Sequence, residues 1–224
     1  SMVRSRPMPF ARFVTLCCLI LSSGWFTGNP PVVSASTEPL NVVVTIPVLK
    51  DLVEQVGGPS VRVTSLLKGY ENEHTYAPKP SDLIAVRNAQ LLFEVGLGLE
   101  VWVANLVKTA GHASLTVITT SKGIGLIPDD HEADAGHQIA GTHAGGNPHV
   151  WMDPENAATM MRHVTPALVQ ADPGHADEFR HNQAAYLKRL DQLRTELTDR
   201  LSKLSDRRFI AHHPAWPYFA RRFR

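Results

Sequence analysis

Short, unbroken apolar runs alternate with helical periodicity along the first half of this chain. Residues 41–46 (NVVVTI) are β-branched with no polar alternation, the pattern of a strand covered on both faces. Pro47 then suits a first helical turn, and that helix is expected to end after Val56 at Gly57-Gly58. Residues 61–67 read as a second strand, 81–89 as a helix capped by Ser81, 91–95 as a third strand, 99–109 as a helix and 116–119 as a fourth strand. Strands alternating with helices predict an α/β fold whose parallel sheet carries helices on both faces.

The pattern breaks at residues 129–147, which hold four acidic residues, His131, His137 and His143, repeated glycines and no basic residue. Such a segment reads as a polar loop, either plain solvated insertion or a weak collector of metal ions. Helical periodicity resumes at Asp153-Pro154-Glu155, a capping aspartate, a proline in the first turn and an acid facing the helix dipole. That helix is expected to reach about Gln170. Pro173 opens a longer one, with Phe179, Tyr186, Leu190, Leu193, Leu197, Leu201 and Leu204 on one stripe. At 1.5 Å per residue it would span roughly 45 Å. Residues 207–224 hold a strand-like run at 209–211 and the start of a helix, too little to enclose a core.

Composition adds a leader and removes one class of partner. Arg4, Arg6 and Arg12 precede an apolar run at 13–21 and then small residues, the shape of a secretory signal peptide over residues 1–35, with cleavage expected after Ala35. The run is too short to span a bilayer. Both cysteines, Cys17 and Cys18, fall inside it, and bulky Leu16 argues against lipidation there, so a free periplasmic protein without disulfides is expected. Residues 1–35 carry three arginines and no acid, so the remainder has 19 basic against 21 acidic residues out of the chain's 22 and 21. Basic residues form no stripe, so nucleic acid is not an expected partner.

Three histidines occupy corresponding places. His74 lies in a polar, proline-punctuated loop after the second strand, where open α/β sheets bind ligands outside the carboxyl ends of their strands. His149 sits in NPHVWMDP, and His213 closes the apolar run at 209–211. Three neutral imidazoles gathered in one cleft would form a transition-metal site.

These three stretches, in this order, resemble the periplasmic zinc- and manganese-binding receptors of metal-importing ABC transporters, the cluster A-I solute-binding proteins. The resemblance covers residues 40–223, with ligand loops matched by residues 73–83, 147–154 and 213–220. It implies an N-terminal metal-binding lobe at 36–171, a linking helix at 172–206 and, at 207–224, the start of a second α/β lobe, truncated here. It also implies a monomeric receptor that delivers its ion to a membrane permease and catalyses nothing. His213 is preferred to His212 because the family's ligand directly precedes a Pro-Ala-aromatic step, here Pro214-Ala215-Trp216. Glu73 is the candidate fourth ligand, since some zinc-type relatives have an acid just before the first histidine; a solvated loop glutamate is the other reading.

An imidazole at the third position favours zinc, because manganese-type relatives tend to carry a carboxylate there and nitrogen-rich sites suit zinc. Manganese or iron remains the alternative ion. Two rival functions share this residue set. A zinc hydrolase would use three histidines and an open position to activate water, but no H-E-x-x-H helix is present and only Glu73 offers itself as a base. An adhesin of the same fold would differ in partner and not in site. The loop histidines aside, Glu71, His112, His163, His175 and His181 read as surface residues.

Overall fold

The computed structural model describes residues 38–128 and 146–224, which belong to one unit. The leader with its cysteines, and His131, His137 and His143, lie outside the described residues. Four parallel strands, β1 (Leu40–Val44), β2 (Val61–Ser65), β3 (Leu91–Glu94) and β4 (Thr116–Thr119), form a sheet in the order β2-β1-β3-β4. Val42 pairs with Val63 on one side and with Leu91 on the other, which fixes the register across the centre.

Helices α1 (Pro47–Gly57), α2 (Pro80–Arg87) and α3 (Val103–Ala110) connect the strands. From β1 the chain first crosses to β2 and then returns past β1 to β3 and β4. Right-handed crossovers in opposite directions place α1 on one face and α2 with α3 on the other. The direction changes between β1 and β3, and the crevice above their carboxyl ends is where such sheets receive ligands. Val42, Val43, Val44, Leu92 and Phe93 are at most 2% exposed, as a doubly covered sheet requires.

Two longer helices, α4 (Pro154–Ala171) and α5 (Ala176–Ser202), pack with α1. Asp153 caps α4, its Oδ1 accepting from the Glu155 amide at 2.9 Å. Phe179 anchors α5 with no exposed surface, Asn182 Nδ2 donates to the Val56 carbonyl at 2.9 Å, and the Tyr186 hydroxyl donates to Asp51 at 2.8 Å. Beyond that the expected stripe leaves the body, with Leu193 at 43% and Leu204 at 50% exposure.

Three expectations are corrected. Helix α2 starts at Pro80 and not at a Ser81 cap, because Asp82 Oδ2 turns back to the Lys79 amide at 2.7 Å and closes the first turn itself. Helix α3 starts four residues later than residue 99, because Gly96, Leu97 and Gly98 all have positive φ and form a turn. Residues 209–211 form no strand: Phe209 is 51% and Ile210 102% exposed, and no sheet edge among the described residues offers them backbone partners. Residues 217–222 do form the expected short helix, α6 (Pro217–Arg222).

Candidate metal centre

The loop after β2 is tied by its own side chains. Glu71 Oε2 accepts from the Lys68 amide at 2.7 Å, and Asn72 Oδ1 accepts from the His74 amide at 2.9 Å. Farther on, Tyr76 donates to Asp82 at 2.8 Å, joining the loop to the start of α2. Glu73 and His74 are presented between these ties, both half-buried.

His149 is 3% exposed and is oriented by Asn147, whose Oδ1 accepts from the His149 amide at 3.0 Å and lies 2.9 Å from Nδ1. A proton on Nδ1 satisfies that acceptor and leaves Nε2 facing the cluster, the arrangement by which outer groups set a ligating histidine's tautomer. The Asn147 amide then donates from Nδ2 to the Pro214 carbonyl at 2.8 Å, linking the His149 segment to the one that carries His213. Gly146 precedes it at φ 138, where a Cβ would stand 2.5 Å from the Ile127 carbonyl oxygen, so the chain passes here only without a side chain.

His213 itself is exposed, yet its segment is firmly seated. Fully buried Tyr218 donates to the Asn147 carbonyl at 2.7 Å and accepts from the Ile127 amide at 3.2 Å. Arg222 Nε lies 2.9 Å from both oxygens of buried Asp153, and its Nη2 is 2.7 Å from Glu155. Tyr218→Phe is therefore expected to leave the buried Asn147 carbonyl and the partly buried Ile127 amide short of a partner. It should cost about 1–3 kcal/mol in urea unfolding.

Together these supports gather Glu73, His74, His149 and His213, whose ligand atoms all lie within 4.8 Å of one another. His149 Nε2 is 2.8 Å from His213 Nε2 and 3.6 Å from Glu73 Oε1. A tetrahedral zinc ion with bonds near ~2.0–2.1 Å needs donor separations of about 3.3 Å, which falls inside this spread. The His149 contact holds the Glu73 carboxyl well below the usual range, down to about 2 despite the opposing effect of burial. Glu73 is thus an anionic donor at every physiological pH. Among the described residues His212 is outside this group, as are His112, His163 and His175, which pair with the Val86 carbonyl, the Lys122 carbonyl and Asp172.

Residues 42–224 match the model of the family described as zinc-uptake complex component A, periplasmic (ZnuA). The chain belongs to that family. A putative metal-binding protein of Treponema pallidum is 30% identical over 190 residues, covering 84% of this chain and 60% of that protein. The iron-binding protein YfeA of Yersinia pestis is 28% identical over 98% of this chain and 69% of its own length. A zinc-bound deletion mutant of ZnuA superposes with a TM-score of 0.73 at 32% identity, covering 83% of this chain and 67% of that one. This is a family of metal-binding solute receptors and not of enzymes.

Sequence reasoning left out three residues that shape the centre. Asn147 had a local signal, since an asparagine two positions before a histidine readily bonds forward to it. Tyr218 and Trp102 had none, because their partners are distant in the chain; the Trp102 indole donates to the Glu73 carbonyl at 2.9 Å.

Proposed function

We propose that the protein captures one zinc ion with Glu73, His74, His149 and His213 and presents it to the membrane permease of an ABC importer. The observation that carries this reading is the convergence of those four ligand atoms within 4.8 Å. Three imidazoles and one carboxylate make a donor set of borderline softness, which suits zinc. The family's periplasmic description supports export, for which residues 1–35 would serve as the cleaved signal of a monomeric receptor. Glu73 lies among the donors, so the set is of the closed four-ligand kind, and it counts against a hydrolase that keeps one position for water. Iron is the second reading, favoured by the similarity to YfeA.

A zinc titration of the exported protein tests the proposal. One zinc per chain is expected to bind tightly and to resist a hundredfold excess of manganese or iron(II), roughly the margin their places in the divalent-metal series allow. His74→Ala and His213→Ala should each weaken zinc about a hundredfold, taking ~10–16 kcal/mol of zinc binding as shared among four donors. His163→Ala should not. Displacement of zinc by stoichiometric iron, or unchanged affinity in either histidine variant, would overturn the assignment.

A further inference from the structure

The turn between β3 and α3 supplies none of the four clustered ligands, yet it is built with unusual expense. Leu97 has φ 60, a left-handed conformation that costs a branched side chain on the order of 1 kcal/mol or more. Gly96, at φ 83, has room only for hydrogen, since a Cβ there would run into Thr119 Cγ2. Inside the turn, Glu100 is 5% exposed and gathers three donors: the Thr45 hydroxyl at 2.6 Å and the Val95 and Gly96 amides at 2.9 Å each. Thr45 follows β1 and Val95 follows β3, so this carboxylate bolts the turn across the carboxyl ends of the two central strands. Burial raises its pKa to about 7, against the pull of those three donors.

The turn delivers Trp102. Its ring, 9% exposed, lies 5.1 Å from the Tyr76 ring, and its Nε1 donates to the Glu73 carbonyl at 2.9 Å. Residues 73–76 are therefore gripped on one side by Trp102 and on the other by the Tyr76–Asp82 bond. We propose that Trp102 is a positioning residue for the metal centre: its indole N–H fixes the Glu73 backbone and so aims the Glu73 carboxylate, while Glu100 holds the turn that delivers the indole. This rests on the zinc-site reading above. Glu73 stands on an irregular loop, without a neighbouring strand or helix to hold its backbone. A carboxylate free to swing away from His149 would contribute much less to a small ion that demands a fixed geometry.

The test is a zinc-competition titration and a cobalt(II) absorption spectrum on the full chain, its Trp102→Phe, Glu73→Ala and His149→Ala variants, and the Trp102→Phe/Glu73→Ala double variant. Phenylalanine keeps a ring against Tyr76 while removing the donor together with the second ring of the indole. Trp102→Phe is expected to lower zinc affinity about tenfold, the lower end for outer-shell groups, and to change the intensity of the cobalt bands. In the Glu73→Ala background the same change should cost less than about twofold, since there is no carboxylate left to aim. A tenfold loss in both backgrounds, or an unchanged affinity and cobalt spectrum, overturns the proposal. If Trp102→Phe does not fold by its thermal melt, Glu100→Gln, which misorients the turn by replacing an acceptor with a donor, must give the same dependence on Glu73. Retention of full zinc affinity by His149→Ala would overturn the site reading and this proposal with it; loss in that variant beside an unaffected Trp102→Phe overturns this proposal alone.

Discussion

Replacing His149 with alanine is expected to cut zinc affinity about a thousandfold, more than either of the other histidines. Four donors sharing ~10–16 kcal/mol contribute about 3 kcal/mol apiece, or roughly a hundred- to a thousandfold each. His149 belongs at the upper end because it is the hub: it is buried, stands 2.8 Å from His213 and 3.6 Å from Glu73, and its ring lies 5.8 Å from that of His74. Its loss takes away a donor and also the neighbour, 3.6 Å away, that draws the Glu73 carboxylate inward. The exposed ring of His213 then loses the group against which it is placed. Asn147→Ala makes the comparison sharp, since it spares all four donors while freeing the orientation of His149 and cutting the bond to the Pro214 carbonyl. Outer-shell removals of that kind cost about ten- to a hundredfold in metal affinity. Isothermal titration with zinc on both variants should give that order, and an Asn147→Ala loss as large as that of His149→Ala would show that the asparagine builds the site as well as orienting it.

The sheet was legible because its signal is local. Runs such as residues 41–46 are buried on both faces, so every position is apolar and no tertiary knowledge is needed to see a strand. Boundaries failed where side chains from elsewhere decide them. Leu99 to Trp102 have helical composition, but Glu100 reaches back to Thr45, Val95 and Gly96 and keeps these residues in a turn. Residues 209–211 have strand composition, but a strand exists only with a partner beside it, and composition does not supply one.

The three histidines that the structure gathers were legible as candidates from motif order and from their places after strand-like runs, and Glu73 only through the resemblance to zinc-type relatives with an acid at that place. What holds them was not. Tyr218 reaches Asn147 across 71 residues, Arg222 reaches Asp153 across 69, and Trp102 reaches Glu73 across 29. Pairings at such separations leave no periodicity or spacing to read. For the same reason nothing in the sequence tells that Tyr218 and Arg222 seat the segment carrying His213 against Asn147 and Asp153.

Zinc affinity should fall steeply between pH 7.5 and 5.5, by roughly a thousandfold as an upper bound. An imidazole ligates only when neutral, and a free one titrates near ~6.5, so a site built from three imidazoles of that ordinary basicity would lose about tenfold per imidazole to protons at pH 5.5. Glu73 adds nothing over this interval. Its carboxyl is held down to about 2, chiefly by its contact with His149, so its depressed ionisation matters only in acid far below the range tested. The sign follows: affinity is full above the imidazole range and is lost as pH falls through it, the protons taken up per zinc released rising toward three at the acid end. Glu73→Ala separates the two kinds of donor, because it should lower affinity at every pH while the loss of affinity on acidification remains. A competition titration repeated across the interval reads both quantities. Flat affinity in the parent chain would mean that carboxylates, and not His74, His149 and His213, hold the ion; a slope that flattens only in Glu73→Ala would mean that the carboxylate titrates with the rings instead of standing ionised beside them.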